Sequence, residues 1–302
     1  MIRLGINTGF AVNRYAEPEE WVAVLKKSGV KYAQFTADLL NVSLPDSIIT
    51  KQLARIKQSC QDNDIEIRSA FTGAFTRVNH LAHPDKEVRD YWIGWFKRYV
   101  DLAIELGAES IGSHPGIFTM KDDLDPARRK ERRSQNIGSW HEVGKYAKIK
   151  GLKYIAWEPM SISREQGETI IEARRLQDDL NKNAPIPFKI CLDVDHGDLS
   201  SKNPDDTDPY KWLDSFAKES PQIHLKQSLK DKGGHYPFLP EYNKQGKIDA
   251  DHYLSRLIAN DIKEVDLILE LSFRERQPQD SSVISVLTQS VKYWQEALNK
   301  IQ

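Results

Sequence analysis

Residues 188–197 read FKICLDVDHG, and this stretch decides the fold. The mostly apolar run Phe188–Leu192 is short, shows no strict alternation, and stops at two carboxylates and a glycine. Runs of this kind are typical of parallel strands that are buried on both faces of a sheet. The run is therefore predicted to be one strand of a parallel sheet, with Asp193 at its carboxyl end.

Seven more runs of this kind recur along the 302 residues: Ile2–Ile6, Tyr32–Phe35, Ile65–Phe71, Ser110–Ser113, Lys153–Trp157, Gln222–Leu225 and Asp266–Leu269. The helical segments between and after the runs are Pro18–Lys27, Pro45–Asn63, Asp85–Leu106, Arg128–Lys150, Arg164–Asn181, Pro209–Lys218, Ala250–Ala259 and Ser281–Lys300. Eight such alternations favour a closed (β/α)₈ TIM barrel of the α/β class. Because nothing marks a domain boundary, residues 1–302 are predicted to form a single domain. A doubly wound open sheet is the alternative, but no Gly-x-Gly-x-x-Gly turn follows the first run.

The composition argues against a nucleic-acid or membrane partner. The net charge is -1, which gives no overall attraction to polyanions. No apolar stretch approaches the roughly 20 residues that a membrane span needs, and the first residues lack the features of a signal peptide. Cys60 and Cys191 are too few for a disulfide framework. We expect a cytoplasmic protein that acts on a small molecule.

Chemically reactive side chains end the last four runs. Glu158 follows the fifth run, and Asp193 follows the sixth. His224 lies in the seventh run, and Glu270 follows the eighth. Active sites of (β/α)₈ barrels lie at the carboxyl ends of the strands. These four side chains are therefore predicted to meet at one mouth of the barrel.

Three carboxylates and one imidazole form a hard, mostly oxygen ligand set. Such a set suits Mn²⁺, or alternatively Mg²⁺ or Co²⁺, better than a structural zinc ion. Without a cation, the converging carboxylates would repel one another. We predict one divalent metal, most favourably Mn²⁺, held by Glu158, Asp193, His224 and Glu270. Asp195 is a reserve ligand, because strand side chains repeat every two residues.

Other residues near the strand ends are candidates for substrate contacts. His196 follows Asp193 by three positions and is predicted to orient a substrate hydroxyl. His114 ends the fourth run before a rigid Pro-Gly turn, which would leave its ring at the mouth. For both histidines the alternative is an ordinary structural hydrogen bond. Asn7, at the end of the first run, and Arg77 or Asn79, after the third run, are weaker candidates.

Basic residues gather in the loops after the seventh and eighth runs, and one more follows the fifth: Lys226, Lys230, Lys232, Arg274, Arg276 and Arg164. Barrels often bind phosphate with the loops after strands seven and eight. A local anion site is therefore predicted, in which Arg164, Lys226 and Arg274 contact the substrate. Solvated surface charge is the alternative, and it leaves a free sugar open as the substrate.

The strand-end motifs are Glu158-Pro159, Leu192-Asp193-x-x-His196, His224-Leu225-Lys226 and Glu270. Together they resemble the xylose-isomerase-like superfamily of sugar isomerases and epimerases, over nearly the whole chain. Within it, the tetrulose-phosphate epimerases and isomerases of erythritol catabolism are the most similar group. The chain departs from the common pattern after the seventh strand, at Gln227 and at residues 243–246.

The resemblance implies metal binding by the four strand-end residues and proton transfer by Glu158 and Glu270. It implies a substrate contact at His196 and a homo-oligomer. It also implies 3-epimerisation of a ketotetrose phosphate such as erythrulose 1-phosphate. The departures after the seventh strand leave this metal set intact and bear on which substrate is bound.

The proton-transfer chemistry leaves several reactions open. If one glutamate removes the proton beside a carbonyl and the other returns it to the opposite face, the sugar is epimerised. If one glutamate does both, the product is an aldose–ketose isomer. A polyol-ketone dehydratase and a barrel that only binds a ligand are further alternatives. An apurinic-site endonuclease shares the fold, but eight histidines and a charge of -1 disfavour it.

Overall fold

Eight parallel strands close into a barrel in the computed structural model, which describes residues 1–230 and 233–301. The strands in chain order are β1 (Ile2–Asn7), β2 (Tyr32–Thr36), β3 (Glu66–Phe71), β4 (Ser110–Ser113), β5 (Tyr154–Trp157), β6 (Phe188–Asp193), β7 (Gln222–Leu225), β8 (Gln227–Leu229), β9 (Gly233–Tyr236) and β10 (Val265–Leu269). β8 and β9 form a separate antiparallel hairpin. The other eight pair in chain order, and β10 pairs with β1 to close the ring. The predicted (β/α)₈ TIM barrel is confirmed.

Helices connect the barrel strands and cover the outside of the barrel. They are α1 (Pro18–Ser28), α2 (Asp46–Asn63), α3 (Lys86–Glu105), α4 (Met120–Leu124), α5 (Pro126–Lys150), α6 (Ile170–Asn181), α7 (Pro209–Phe216), α8 (Pro240–Asn243), α9 (Ala250–Ala259) and α10 (Gln279–Leu298). Short 3₁₀ helices lie at Thr8–Ala11, Ala37–Leu39, Ala74–Thr76, His80–Ala82, Ser163–Glu165, Pro204–Thr207 and Ala217–Glu219. Within the described ranges, no helix is both long enough and apolar enough to cross a membrane.

The loop after β5 is longer than the sequence predicts, since α6 begins at Ile170 rather than at Arg164. Gln166 and Gly167 both have a left-handed backbone, with φ of 70° and 77°, which interrupts any helix there. Thr169 then starts α6 by accepting a hydrogen bond from the backbone of Glu172. The extra loop residues therefore lie beside the barrel mouth. The β8–β9 hairpin, α4 and α8 are also absent from the sequence prediction.

A close approach of two strands shapes the barrel mouth. The Phe71 ring, at the end of β3, lies directly over Gly112 of β4, where any Cβ would overlap the ring. The same ring contacts the imidazole of His224 edge-on, with 5.0 Å between the ring centroids. Gly112 thus makes room for an aromatic side chain that packs against a predicted metal ligand.

Candidate functional site

The four predicted metal ligands converge at the carboxyl ends of the barrel strands. One ligand atom from each of Glu158, Asp193, His224 and Glu270 lies within 4.8 Å of those of the other three. The barrel register produces this arrangement, because Asp193 pairs directly with His224. Glu158 and Glu270 each lie one residue beyond a strand, and their backbone N–H groups still donate to the neighbouring strands.

His224 is oriented by a hydrogen bond on the side of its ring opposite the carboxylates. Its Nδ1 lies 2.9 Å from Glu158 Oε1 and 3.6 Å from Glu270 Oε2. Its Nε2 lies 2.8 Å from the side-chain oxygen of Gln34, which can only accept. Nε2 therefore carries a hydrogen, and Nδ1 faces the carboxylates. Metal-binding histidines in proteins are commonly fixed by such a partner on the second nitrogen.

A buried network beneath the site holds Gln34 in this orientation. The Gln34 amide nitrogen donates to Gln222 Oε1 at 2.8 Å, and Gln222 in turn donates to Ser110 and Tyr154. Asn7 donates to the Gln34 oxygen at 2.6 Å and accepts from the backbone N–H of Gly9. Both ends of the Asn7 amide are thus used within the protein. Asn7 therefore holds Gln34, the hydrogen-bond partner of His224, instead of making the substrate contact that the sequence predicts.

Lys226 lies in the candidate site itself, and its side chain is fully buried. Its ammonium donates to Asp193 Oδ2, to Glu270 Oε2 at 3.3 Å and to His235 Nε2 at 3.0 Å. A lysine ammonium has three N–H donors, so these three acceptors use all of them. The expectation that Lys226 contacts a substrate phosphate is corrected by this placement, because no donor is left for the substrate.

Neighbouring positive charges favour the ionised forms of Asp193 and Glu270. Burial raises the pKa of Asp193, but the charges of His196 and Lys226 outweigh burial and hold that pKa well below its ordinary value. Burial raises the pKa of Glu270 too, and the charges of His224 and Lys226 bring it below its ordinary value. Burial lowers the pKa of Lys226, but Asp193 and Glu270 more than reverse that effect.

The donor set fits a divalent cation. Glu158, Asp193 and Glu270 bring three negative charges when ionised, and Lys226 brings one positive charge, which leaves minus two. A divalent ion would make this group neutral. Oxygen ligands with a single imidazole suit Mn²⁺ or Mg²⁺. The group of four residues could therefore hold such an ion.

A cavity of about 420 Å³ opens above the two glutamates. Its volume lies in the range that is usual for small-molecule sites. His196 lines it, as predicted from its position after Asp193. The His196 Nδ1 donates to the backbone oxygen of Pro159 at 2.8 Å, and Nε2 lies 3.8 Å from Asp193 Oδ2. Nε2 is therefore the nitrogen of His196 that faces the site.

His114 also lines the cavity, but its ring nitrogens are used within the fold. Its Nε2 lies 3.0 Å from the backbone oxygen of Thr76 and 3.1 Å from Nε2 of His80. Its Nδ1 accepts from the backbone of Gly116 at 3.1 Å. Burial lowers the pKa of His114 to about 4. His114 therefore forms part of the cavity wall. Its ring makes structural hydrogen bonds, which was the alternative to the predicted substrate contact.

The predicted basic side chains Arg164, Lys230 and Arg274 do not line the cavity. Arg164 is half-buried, with Nη1 3.4 Å from the backbone oxygen of Phe118, and Arg274 is exposed; neither lines the cavity. Lys230 is exposed, and Lys232 lies outside the described residues. Arg77, one of the weaker candidates, does line the cavity. Its Nε and Nη2 donate to the buried Glu165 at 3.1 and 2.7 Å.

Sequence reasoning missed two neighbours of the site that the structure identifies. Gln34 supports His224, and His235 contacts Lys226 from the β8–β9 hairpin. Gln34 lies inside an apolar run, where a buried amide already signals an internal hydrogen-bond network. His235 follows two glycines in a loop after a barrel strand, and that position was the available signal.

Comparisons with known proteins identify the family of the chain. The sequence model of the xylose isomerase-like TIM barrel family matches residues 22–299. The chain belongs to this family. A D-erythrulose 1-phosphate 3-epimerase from Brucella abortus (strain 2308) is 42% identical over 295 residues, covering 97% of this chain and 95% of that protein. The predicted family is thereby confirmed.

Solved structures of the family share the fold. A candidate xylose isomerase from Rhodospirillum rubrum superposes with a TM-score of 0.88 at 23% identity, covering 98% of this chain and 99% of the other. A D-psicose 3-epimerase from Clostridium cellulolyticum, solved with D-tagatose, gives a TM-score of 0.66 at 15% identity, with 98% and 97% covered. Both structures extend over nearly the whole barrel.

The buried His80–His114 pair predicts a pH-dependent stability. Between about pH 6.5 and about pH 4, the unfolded chain binds a proton at His114 that the folded chain does not. The free energy of unfolding should therefore fall as the pH falls through this range. Burial also holds the pKa of His80 well below its ordinary value, so its effect has the same sign.

Urea unfolding of the wild type and of His114→Gln, measured from pH 7 to pH 4.5, checks this expectation. The glutamine variant should lose less stability over the range than the wild type, whatever its stability at pH 7. Parallel curves for the two proteins would show that His114 does not bind a proton on unfolding.

Proposed function

We propose that the chain is a divalent-metal-dependent sugar phosphate epimerase, which inverts carbon 3 of a ketotetrose phosphate such as erythrulose 1-phosphate. The observation that carries the proposal is the pair of glutamates, Glu158 and Glu270, in one compact group at the base of the cavity. The similarity to the Brucella epimerase supports the substrate class. We expect the enzyme in the cytoplasm, with Mn²⁺ as its metal.

The two glutamates reach the site from separate strands. Glu158 follows β5 and Glu270 follows β10, with β6 and β7 between them in the barrel. A planar enediolate between them would have one carboxylate on each face. One glutamate removes the proton from carbon 3, and the other delivers a proton to the opposite face. This arrangement favours epimerisation over a single-face transfer, which would return the proton to carbon 2 and move the carbonyl to carbon 3.

The remaining residues prepare the site for that transfer. The Lys226 ammonium, 3.3 Å from Glu270 Oε2, favours the charged form of Glu270, which is the form that accepts a proton. His196 presents Nε2 to the cavity and would orient a substrate hydroxyl. A divalent cation held by Glu158, Asp193, His224 and Glu270 would polarise the carbonyl and stabilise the negative charge of the enediolate.

Arg77 is proposed as the contact for the phosphate. Among the described residues, it is the one arginine or lysine that borders the same cavity as both glutamates and His196. Its side chain is 57% exposed, and Glu165 fixes its guanidinium through Nε and Nη2. Nη1 has no hydrogen-bond partner within the described part of the chain, so it is available to a phosphate oxygen.

Hydrogen exchange in deuterium oxide tests the role of the two glutamates. With Mn²⁺ and erythrulose 1-phosphate, the wild type should incorporate deuterium at carbon 3 and form the epimer, because proton removal at that carbon is reversible. Glu158→Gln and Glu270→Gln should each abolish both signals, and removing metal with EDTA should do the same until Mn²⁺ is returned. NMR spectroscopy follows the carbon 3 proton, and polarimetry follows the epimer, because carbon 3 is the one stereocentre of erythrulose 1-phosphate and the epimer is its mirror image.

Glu66→Gln is the matched control for this experiment, because Glu66 is exposed at the start of β3, at the opposite end of the barrel. It should exchange at the wild-type rate. If Glu158→Gln or Glu270→Gln exchanges at the wild-type rate, the substituted glutamate does not transfer the proton. Exchange in which the carbonyl moves from carbon 2 to carbon 3 would replace epimerisation by isomerisation.

The contact between Arg77 and the phosphate can be tested by kinetics. Arg77→Gln should raise KM for the phosphorylated tetrulose about tenfold or more, because a charge-assisted contact is worth roughly 1.5–3 kcal/mol. KM for unphosphorylated erythrulose should change little. Because both substrates are measured with the same variant, any effect of leaving Glu165 unpaired is the same for both and cancels in the comparison. Steady-state kinetics of Arg77→Gln and Arg274→Gln make the test. If KM for the phosphorylated tetrulose rises in Arg274→Gln and not in Arg77→Gln, the phosphate is bound by the loop after β10.

A further inference from the structure

The β8–β9 hairpin is fastened to the loop after β6 by a single carboxylate. Asp195 accepts a hydrogen bond from the Ser228 hydroxyl with one oxygen and from the backbone N–H of Gly234, at 2.6 Å, with the other. Both strands of the hairpin are therefore tied to the residue that lies two positions after Asp193. This explains why Asp195, the predicted reserve ligand, lies outside the group of four: its oxygens hold the hairpin.

The hairpin brings His235 to the site. Gly234 has a φ of 113°, a backbone conformation that favours glycine, and His235 follows it directly. The His235 side chain lines the cavity that contains Glu158 and Glu270. It also lines the adjoining cavity beside Asn7, so it lies between the two.

The contact with Lys226 fixes which nitrogen of His235 carries the hydrogen. The Lys226 ammonium lies 3.0 Å from His235 Nε2 and has no lone pair, so Nε2 must accept. The hydrogen of the neutral imidazole is then on Nδ1. Nδ1 lies 3.9 Å from Glu270 Oε2, beyond hydrogen-bond distance, and no other acceptor is present among the described residues.

We propose that His235 is a third catalytic residue, whose Nδ1–H donates to the substrate oxygen that becomes negative when Glu270 exchanges the proton. This inference rests on the proposed function. The N–H is a donor beside the carboxylate that performs the transfer, and Lys226 holds the ring from behind. Donors placed where charge develops stabilise the transition state more than the ground state.

Two variants of His235 separate this role from support of Lys226. In His235→Asn, the amide nitrogen can occupy the position of Nδ1 and keep the donor. In His235→Gln, the longer side chain places its amide near Nε2, where its oxygen can accept from Lys226, and the Nδ1 donor is lost. If the donor matters, kcat for deuterium exchange should fall about 100-fold in the glutamine variant, with KM much less affected. The asparagine variant should recover most of that loss.

Tyr236→Phe is the matched control, since Tyr236 lies next in the same hairpin and packs on Tyr242. Its kcat and thermal midpoint should equal those of the wild type. Wild-type kcat in His235→Gln, or an equal loss in both His235 variants, would overturn the proposal. If the wild type and Tyr236→Phe exchange normally, such a result leaves the proposed function intact; if neither exchanges with any tetrulose phosphate, the proposed function itself fails.

A second readout does not depend on activity. In ¹⁵N-histidine-labelled protein, the resonances that are missing from His235→Gln belong to His235. Their shifts should show a neutral ring with the hydrogen on Nδ1. A ring with its hydrogen on Nε2 would contradict the contact with Lys226 and overturn the inference.

Discussion

Electrostatic balance among three converging carboxylates governs the mouth of this barrel. Closing the ring of parallel strands brings the ends of β5, β6 and β10 together, and each ends at or beside an acidic residue. Such a group is stable only if positive charge is supplied within a few ångströms. Lys226 supplies one charge from inside the protein, and a divalent cation would complete the balance.

The layer below the carboxylates has the opposite character, being uncharged and fully hydrogen-bonded. Gln34 and Gln222 link six barrel strands through their amides, and their partners fix the direction of each amide. His224 takes its orientation from this layer on one side and faces the carboxylates on the other. A buried polar network with every member satisfied is rigid, and rigidity is what a site for proton transfer at a single carbon requires.

The fold and the group of four residues could be predicted because they follow from local patterns. Short apolar runs mark the barrel strands, and residues that follow such runs must meet at one end of a parallel barrel. The place of the Lys226 side chain could not be predicted in this way. A residue just after a barrel strand can belong to a loop at the rim or direct its side chain into the barrel. Only the three-dimensional structure shows that its side chain turns inward to Asp193. His235 reaches the site through a hairpin whose anchor, Asp195, is distant in sequence.

The most direct test of this account is anomalous diffraction from crystals of the protein grown with Mn²⁺. The account predicts one strong anomalous peak, with an atom of Glu158, Asp193, His224 and Glu270 each within about 2.5 Å of it. Lys226 should remain beside Asp193 without contacting the ion. A peak elsewhere, or an ion bound by only some of these four residues, would contradict the account.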